Sequence, residues 1–155
     1  MIEEKAQLRA RLRQLLKEIP AEWRALAARR ATARVLELSE FQRARTVMLF
    51  VSLPSELDTS AIAHAAWEAG KQVAVPRAHM EDRSMEAVLI RSFEQDMART
   101  KIGVLEPIST ETIDPARLDF VLVPGLGFGE SGQRIGRGAG FYDRFLARLQ
   151  PQVIT

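Results

Sequence analysis

Two short apolar runs constrain the fold of this chain more than any other feature. Residues 46–53 (TVMLFVSL) and 120–123 (FVLV) are continuous in aliphatic, β-branched and aromatic residues, with no charge inside either run. A strand with one wet face alternates apolar and polar residues, whereas an unbroken apolar run has to be covered on both faces. Both runs lead into turn-forming sequence, PSELDT after the first and PGLGFGESGQRIGRGAG after the second. Residues 71–76 (KQVAVP) and 85–90 (MEAVLI) read as two further short strands, and 101–107 (KIGVLEP) as a loop with a brief extended piece.

Helices supply the cover. Leu8, Leu12, Leu15 and Ile19 recur at helical spacing, which predicts an amphipathic helix over 3–19. Pro20 breaks it and suits the first turn of a second helix running to about residue 38, with Trp23, Leu26, Ala27, Val35 and Leu38 on its apolar face. Asp58 or Thr59 can cap a third helix that Gly70 ends, and 141–149 (FYDRFLARL) read as a fourth. Helices alternating with buried strands predict a single α/β domain over 1–155, with a mainly parallel central sheet flanked by helices. Ligands of such sheets lie beyond the carboxyl ends of the strands. Three loops occupy that position: PSELDT, PRAHMEDR and the glycine-rich segment. The final PQVIT begins like another strand, so a chain truncated inside its next element is the expectation.

Composition removes several kinds of chemistry. The chain has no cysteine, which excludes disulfides, thiolate metal sites and a cysteine nucleophile. Its two histidines, His64 and His79, are too scattered to suggest a metal centre. No apolar run approaches the roughly 20 residues that span a bilayer, and the N-terminus lacks the apolar stretch of a secretory signal. A cytoplasmic protein is expected. The net charge is +2, but residues 1–45 hold 11 Lys and Arg against 6 Asp and Glu, and the remainder 11 against 14. A basic nucleic-acid-binding module has this profile, and so does a solvated arginine-rich helix face. One Tyr and two Trp offer few platforms for stacking bases.

The glycine-rich segment contains a literal G-x-G-x-x-G at 127–132 (GFGESG). A dinucleotide fingerprint should open a helix directly, with an acid about 20 residues on, and neither context is present. The Lys-Ser/Thr ending of a phosphate-binding P-loop is missing too. The informative part lies downstream. Gly136, Gly138 and Gly140 allow close backbone approach and positive φ, and successive N–H groups form an anion nest. A helix starting near Phe141 adds its free N–H groups and positive dipole end. Arg134 and Arg137 add forked donors that match phosphate oxygens. Together these favour a phosphate site over a flexible loop with solvent-facing arginines. Asp143 is either a first-turn acid that stabilises the helix or a ligand for Mg²⁺. Glu56, just past a strand end, either binds a polar ligand group or caps the next helix. Lys5 and Arg9 share one helix face and, on their own, read as surface charges.

The block PGLGFGESGQRIGRGAGFYDRFL resembles the glycine–arginine block of the 5-formyltetrahydrofolate cyclo-ligases, also called methenyltetrahydrofolate synthetases. KAQLR, SLPSELDT, VAVPRA, the Met85 segment and GVLEP are similar to the family's other blocks and stand in the family's order. The resemblance implies a Rossmann-like α/β fold and a cytoplasmic, monomeric enzyme that acts on a reduced folate, with or without a polyglutamate tail, and on neither nucleic acid nor membrane. The implied reaction is ATP- and Mg²⁺-dependent: 5-formyltetrahydrofolate is cyclised to 5,10-methenyltetrahydrofolate, through phosphorylation of the formyl oxygen, with release of ADP and phosphate.

Carried over by position, Lys5 and Arg9 join the ATP site, and Arg134, Gly136, Arg137, Gly138, Gly140, Phe141 and Tyr142 wrap its phosphates. Arg134 and Arg137 are the implied catalytic residues, stabilising charge on the transferring group. The resemblance likewise implies Asp143 as a Mg²⁺ ligand, Glu56 as the partner of the pterin edge, and Leu53, Phe50 and Phe128 as contacts to the ring. Gly129 stands where the family has Asp, and Ala139 where Lys is common. The family pattern continues beyond Thr155 with a further acid near the metal, so weak or absent activity is expected of a chain ending there. The alternative is another nucleotide- or sugar-phosphate-binding α/β enzyme, because fold does not fix function.

Overall fold

The computed structural model describes residues 2–155. Helices α1 (Ile2–Glu18) and α2 (Ala21–Glu37) meet at Pro20, as the sequence predicts, and a one-turn helix α3 (Ser39–Arg43) follows. Then come β1 (Thr46–Met48), α4 (Ser60–Glu68), β2 (Gln72–His79), β3 (Ser84–Ile90), α5 (Phe93–Asp96), β4 (Met97–Arg99), β5 (Leu105–Pro107), β6 (Thr112–Ile113), β7 (Phe120–Val121), β8 (Gly127–Phe128), β9 (Arg134–Ile135) and α6 (Phe141–Leu146).

The central sheet runs β6-β3-β2-β1-β7. Helices flank it, so the α/β expectation holds, but the sheet is mixed. β1 is parallel to β2 and β7, whereas β3 is antiparallel to both β2 and β6. Chain length explains the difference. Only residues 80–83 separate β2 from β3, and four residues can close a hairpin but cannot make the crossover of a dozen or more that parallel neighbours need. Where the connection carries a helix, as between β1 and β2, the pair is parallel.

The strands are buried on both faces, and their alternation divides the core in two. Val47, Leu49, Val73, Val75 and Phe120 face one layer, packed with Val35 of α2, Phe41 of α3 and Ile62, Ala63 and Ala66 of α4. Met48, Ala74 and Val121 face the other, packed with Met85, Ala87 and Leu89 of β3 and Phe145 of α6. The apolar runs 46–53 and 120–123 are longer than the strands they contain, because the residues beyond Met48 and Val121 leave the sheet. That departure shapes the site, since the chain turns outward at the carboxyl ends of two parallel strands, where ligands of such sheets bind. At the other end of the pair, the Asp119 carboxylate accepts from the backbone N–H groups of Arg45 and Thr46 at 2.8 and 2.9 Å. Near the chain's last residue, Ile154 makes an isolated parallel bridge to Phe120.

The literal G-x-G-x-x-G belongs to a hairpin, not to a strand-to-helix turn: β8 pairs antiparallel with β9, Gly127 opposite Ile135 and Phe128 opposite Arg134. The glycine–arginine loop is what joins β9 to α6. α6 is held down by Phe145, which is 1 % exposed beneath the sheet. Phe145→Ala should therefore lower the unfolding free energy by about 3–5 kcal/mol. Urea denaturation checks this, and a loss below about 1 kcal/mol would mean that α6 is not anchored through this ring.

Candidate active site

The chain leaving β1 forms the turn that carries Glu56. The Glu56 N–H donates to the Leu53 carbonyl at 2.9 Å, and its Oε2 accepts from the Leu53 N–H at 3.0 Å. Glu56 thus caps its own turn rather than helix α4, and its second oxygen faces away from that turn. The helix start is held instead by Asp58, whose Oδ1 accepts from the Ser60 N–H at 2.9 Å. Thr59, at the cap position, spends its hydroxyl on the Phe50 carbonyl at 2.7 Å.

The free side of this turn opens on a cavity of about 840 Å³, within the range of small-molecule sites. Leu15 of α1, Ile19 of the link, and Trp23 and Ala27 of α2 form one wall. Phe50, Leu122, Val123, Pro124 and Phe128, at and beyond the ends of β1 and β7, form the other, and Glu56, Leu57 and Asp58 close the edge. Trp23 was expected to pack in the core, but 65 % of its surface is exposed and it lines this cavity. The signal for it was indirect: the first two helices carry more large apolar residues than their packing uses, with Leu15, Ile19 and Leu26 also exposed. Of the expected ring contacts, Phe50 and Phe128 line the cavity, whereas Leu53 contributes its backbone to the Glu56 turn.

On the other side of Glu56 lies the glycine–arginine loop. Arg137 Nε and Nη2 both donate to Glu56 Oε1, at 3.0 and 2.9 Å, across 81 residues of sequence. The Glu56 side chain is 13 % exposed and that of Arg137 41 %. Arg134 donates to Asp143 Oδ1 and to the Pro124 carbonyl, and its guanidinium lies 5.9 Å from the centre of the Tyr142 ring. Helix α1 brings two more arginines: Arg9 Nε donates to the Gly136 carbonyl at 3.1 Å, and Arg13 Nη2 to the Arg137 carbonyl at 2.8 Å. Arg144 donates to the Ala139 carbonyl at 2.7 Å and to the Arg83 carbonyl at 3.0 Å. Lys5 stands exposed one turn before Arg9.

Gly136 and Gly140 make room for a guanidinium, whereas at Gly138 a Cβ would only touch one. A Cβ on Gly136 would stand 3.0 Å from Arg134 Nη1, one on Gly138 3.6 Å from Arg9 Nε, and one on Gly140 2.8 Å from Arg144 Nη1. Gly138 and Gly140 have φ of +111° and +74°, the region that only glycine enters at little cost. Among the described residues no acceptor takes the N–H groups of Gly138, Ala139 or Gly140. Five arginines thus surround the loop with two carboxylates between them, and Arg9, Arg13 and Arg144 spend their donors on carbonyls. α6 has only six residues, so the helix dipole invoked from sequence is a small contributor beside these guanidinium charges. Arg13 and Arg144 were not singled out from sequence. Arg13 lies one helical turn beyond Arg9 on the same face of α1, which was the available signal.

The loop's arginines and free N–H groups suit an anion, and its carboxylates do not form a protein-held metal cage. The described residues contain no group of three or more His, Asp or Glu side chains able to hold a metal. Asp143, 74 % exposed, is the carboxylate paired with Arg134. Mg²⁺ commonly takes one or two carboxylates, with substrate phosphates and water completing its shell, and a single Asp is compatible with that mode.

One polar atom in the site is orphaned. The Tyr142 hydroxyl is buried without a hydrogen-bond partner, an arrangement that costs about 1–3 kcal/mol. Burial foremost, then the negative charge of Glu56, push the phenol well above its ordinary range, and Arg134 offsets this in part. The phenol therefore stays protonated at neutral pH.

Residues 1–155 match the sequence profile of the 5-formyltetrahydrofolate cyclo-ligase family. The chain is 31 % identical over 147 residues to 5-formyltetrahydrofolate cyclo-ligase of Mus musculus, covering 91 % of this chain and 72 % of the relative. It is 30 % identical over 141 residues to the enzyme of the same name from Escherichia coli K12, covering 90 % and 78 %. The fold matches the solution structure of Aquifex aeolicus 5,10-methenyltetrahydrofolate synthetase with a TM-score of 0.80 at 25 % identity, over 94 % of this chain and 73 % of the other. The Mycoplasma pneumoniae synthetase shares the fold, with a TM-score of 0.75 at 19 % identity. A cavity edged by one carboxylate, beside a loop ringed by guanidinium groups, thus occurs in a chain that belongs to the 5-formyltetrahydrofolate cyclo-ligase family.

Proposed function

We propose that this protein converts 5-formyltetrahydrofolate to 5,10-methenyltetrahydrofolate, with ATP as the second substrate and ADP and phosphate as the other products. The observation that carries this reading is the Arg137–Glu56 contact. It joins the cavity sized for the folate to the loop shaped for the triphosphate, and the reaction needs those two substrates to meet.

The formyl oxygen is a poor leaving group. It attacks the γ-phosphorus, the bond from that phosphorus to the bridging oxygen breaks, and ADP departs with the electron pair. The neighbouring folate nitrogen then bonds to the formyl carbon and loses its proton, and the carbon–oxygen bond breaks to release phosphate. Such chemistry asks the protein mainly to position two substrates and neutralise charge. Leu15, Ile19, Trp23, Phe50 and Phe128 enclose the pterin in an apolar slot. Glu56 accepts from the paired N–H donors of the pterin edge, a short, charge-assisted interaction. Arg137 and Arg134 stabilise charge on the transferring group, and Arg9, the backbone of Gly136, Gly138 and Gly140, and the face of Phe141 cradle the phosphates. Lys5, one turn from Arg9, reaches the outer phosphate region. Mg²⁺ held by Asp143 would shield the phosphate charge. The absence of a cysteine nucleophile from the chain agrees with a mechanism that needs none.

Appearance of the methenyl chromophore is the direct test. Turnover is expected with ATP and Mg²⁺ together, and ATP-independent turnover would refute the mechanism. Glu56→Gln should reduce kcat/KM for the folate by about 10- to 100-fold, corresponding to one charge-assisted hydrogen bond. An unchanged value would point to a different acceptor. Arg137→Ala should reduce kcat by about 100- to 1,000-fold, as removal of a transition-state donor does. A change confined to KM would instead assign Arg137 to ground-state binding.

A further inference from the structure

We infer that Arg144 is a positioning residue for the nucleotide half of the site, tying the β2–β3 hairpin to the glycine–arginine loop and setting a loop peptide in advance; this rests on the cyclo-ligase reading above. Arg144 Nη2 donates to the Ala139 carbonyl at 2.7 Å, and its Nε to the Arg83 carbonyl at 3.0 Å, 61 residues away in sequence. One planar fork thus spans two segments of the chain. Arg83 belongs to PRAHMEDR, the one strand-end loop that the proposed chemistry leaves without a role. Its φ of +56° is the one positive value outside glycine among the described residues. Backbone held in that region persists only where its surroundings enforce it, and such positions cluster at functional sites. The hairpin is a firm brace, since β2 and β3 pair without a break from Val73–Ile90 to His79–Ser84.

A grip on a carbonyl acts through the peptide that carries it. The described chain has no cis peptide, and in a trans unit the N–H points away from the C=O. Holding the Ala139 carbonyl therefore fixes the direction of the Gly140 N–H. Arg9 and Arg13 do the same from α1: their bonds to the Gly136 and Arg137 carbonyls fix the N–H groups of Arg137 and Gly138. None of these three N–H groups has an acceptor among the described residues. Gly138 and Gly140, whose freedom would otherwise leave the loop loose, are thus held at φ of +111° and +74° before a ligand arrives. A loop ordered beforehand loses less entropy on binding, so affinity rises without a further contact. Arg144 itself touches no substrate. It acts through the Gly140 peptide, and the sheet behind the hairpin keeps it in place.

Positioning is separable from plain attraction of charge. Lysine keeps the charge of Arg144 but offers a single rotating ammonium in place of the rigid fork. Calorimetric titration of a non-hydrolysable ATP analogue with Mg²⁺, in the absence of folate, is the test. In Arg144→Lys the nucleotide affinity should fall about 10-fold, as the loss of one hydrogen bond to a charged group does. The affinity for 5-formyltetrahydrofolate and the urea midpoint should stay close to those of the wild type. Wild-type nucleotide affinity in Arg144→Lys would overturn the inference, and weak binding confined to Arg144→Ala would then assign the effect to charge. Equal losses of folate and nucleotide affinity with a lower urea midpoint would also overturn it, by showing a general structural role. If the wild type itself binds no nucleotide, the underlying reading falls, and this inference with it.

Discussion

The site depends on one contact, the donation of two Arg137 nitrogens to a single oxygen of Glu56. The two residues lie 81 positions apart in sequence and are placed by different parts of the fold. Glu56 is set by a tight turn at the end of β1, which grips its other oxygen through the Leu53 N–H. Arg137 is set by a loop whose carbonyls at 136 and 137 are held by Arg9 and Arg13 from the first helix. Three distant parts of the chain are brought together because β1 and β7 run parallel and end side by side. Whatever loosens that pair of strands separates the acid from the guanidinium.

The contact also gives the two half-sites a reason to communicate. In the ligand-free arrangement Glu56 and Arg137 satisfy each other, so each is occupied when a substrate arrives. On the proposed reading, the pterin edge displaces Arg137 from Glu56 and frees the guanidinium for phosphate, and phosphate frees Glu56 in turn. Coupling between two ligands through a shared contact is reciprocal by necessity. The loop prepares for this with charge held in reserve: Arg9, Arg13 and Arg144 are tied to carbonyls, which hold their positions without neutralising them.

Much of this was legible in the sequence where the signal is local. The breaks at Pro20 and Gly70, the doubly buried strands and the rejection of GFGESG as a dinucleotide fingerprint all follow from short-range rules, and the structure agrees. The mixed sheet was legible as well, in the eight residues between the expected strands 71–76 and 85–90, too few for a parallel crossover, but the helix–strand alternation outweighed that count. What could not be read was any pairing across long separations. Nothing near Glu56 announces Arg137, and nothing near Trp23 says that it faces a cavity instead of the core. The hairpins β4–β5 and β8–β9 were missed because strands of two or three residues carry too little pattern to recognise. The orphaned Tyr142 hydroxyl belongs to the same class, since burial without a partner is a property of the folded chain alone.

The central claim is that Glu56 and Arg137 couple the folate half of the site to the phosphate half. Calorimetric titration of a non-hydrolysable ATP analogue, with Mg²⁺, into the protein with and without saturating 5-formyltetrahydrofolate measures this directly. The account predicts that the nucleotide binds about 5- to 100-fold more tightly when the folate is present, and that Glu56→Gln abolishes the difference. Equal nucleotide affinity in the two titrations of the wild-type protein would contradict it.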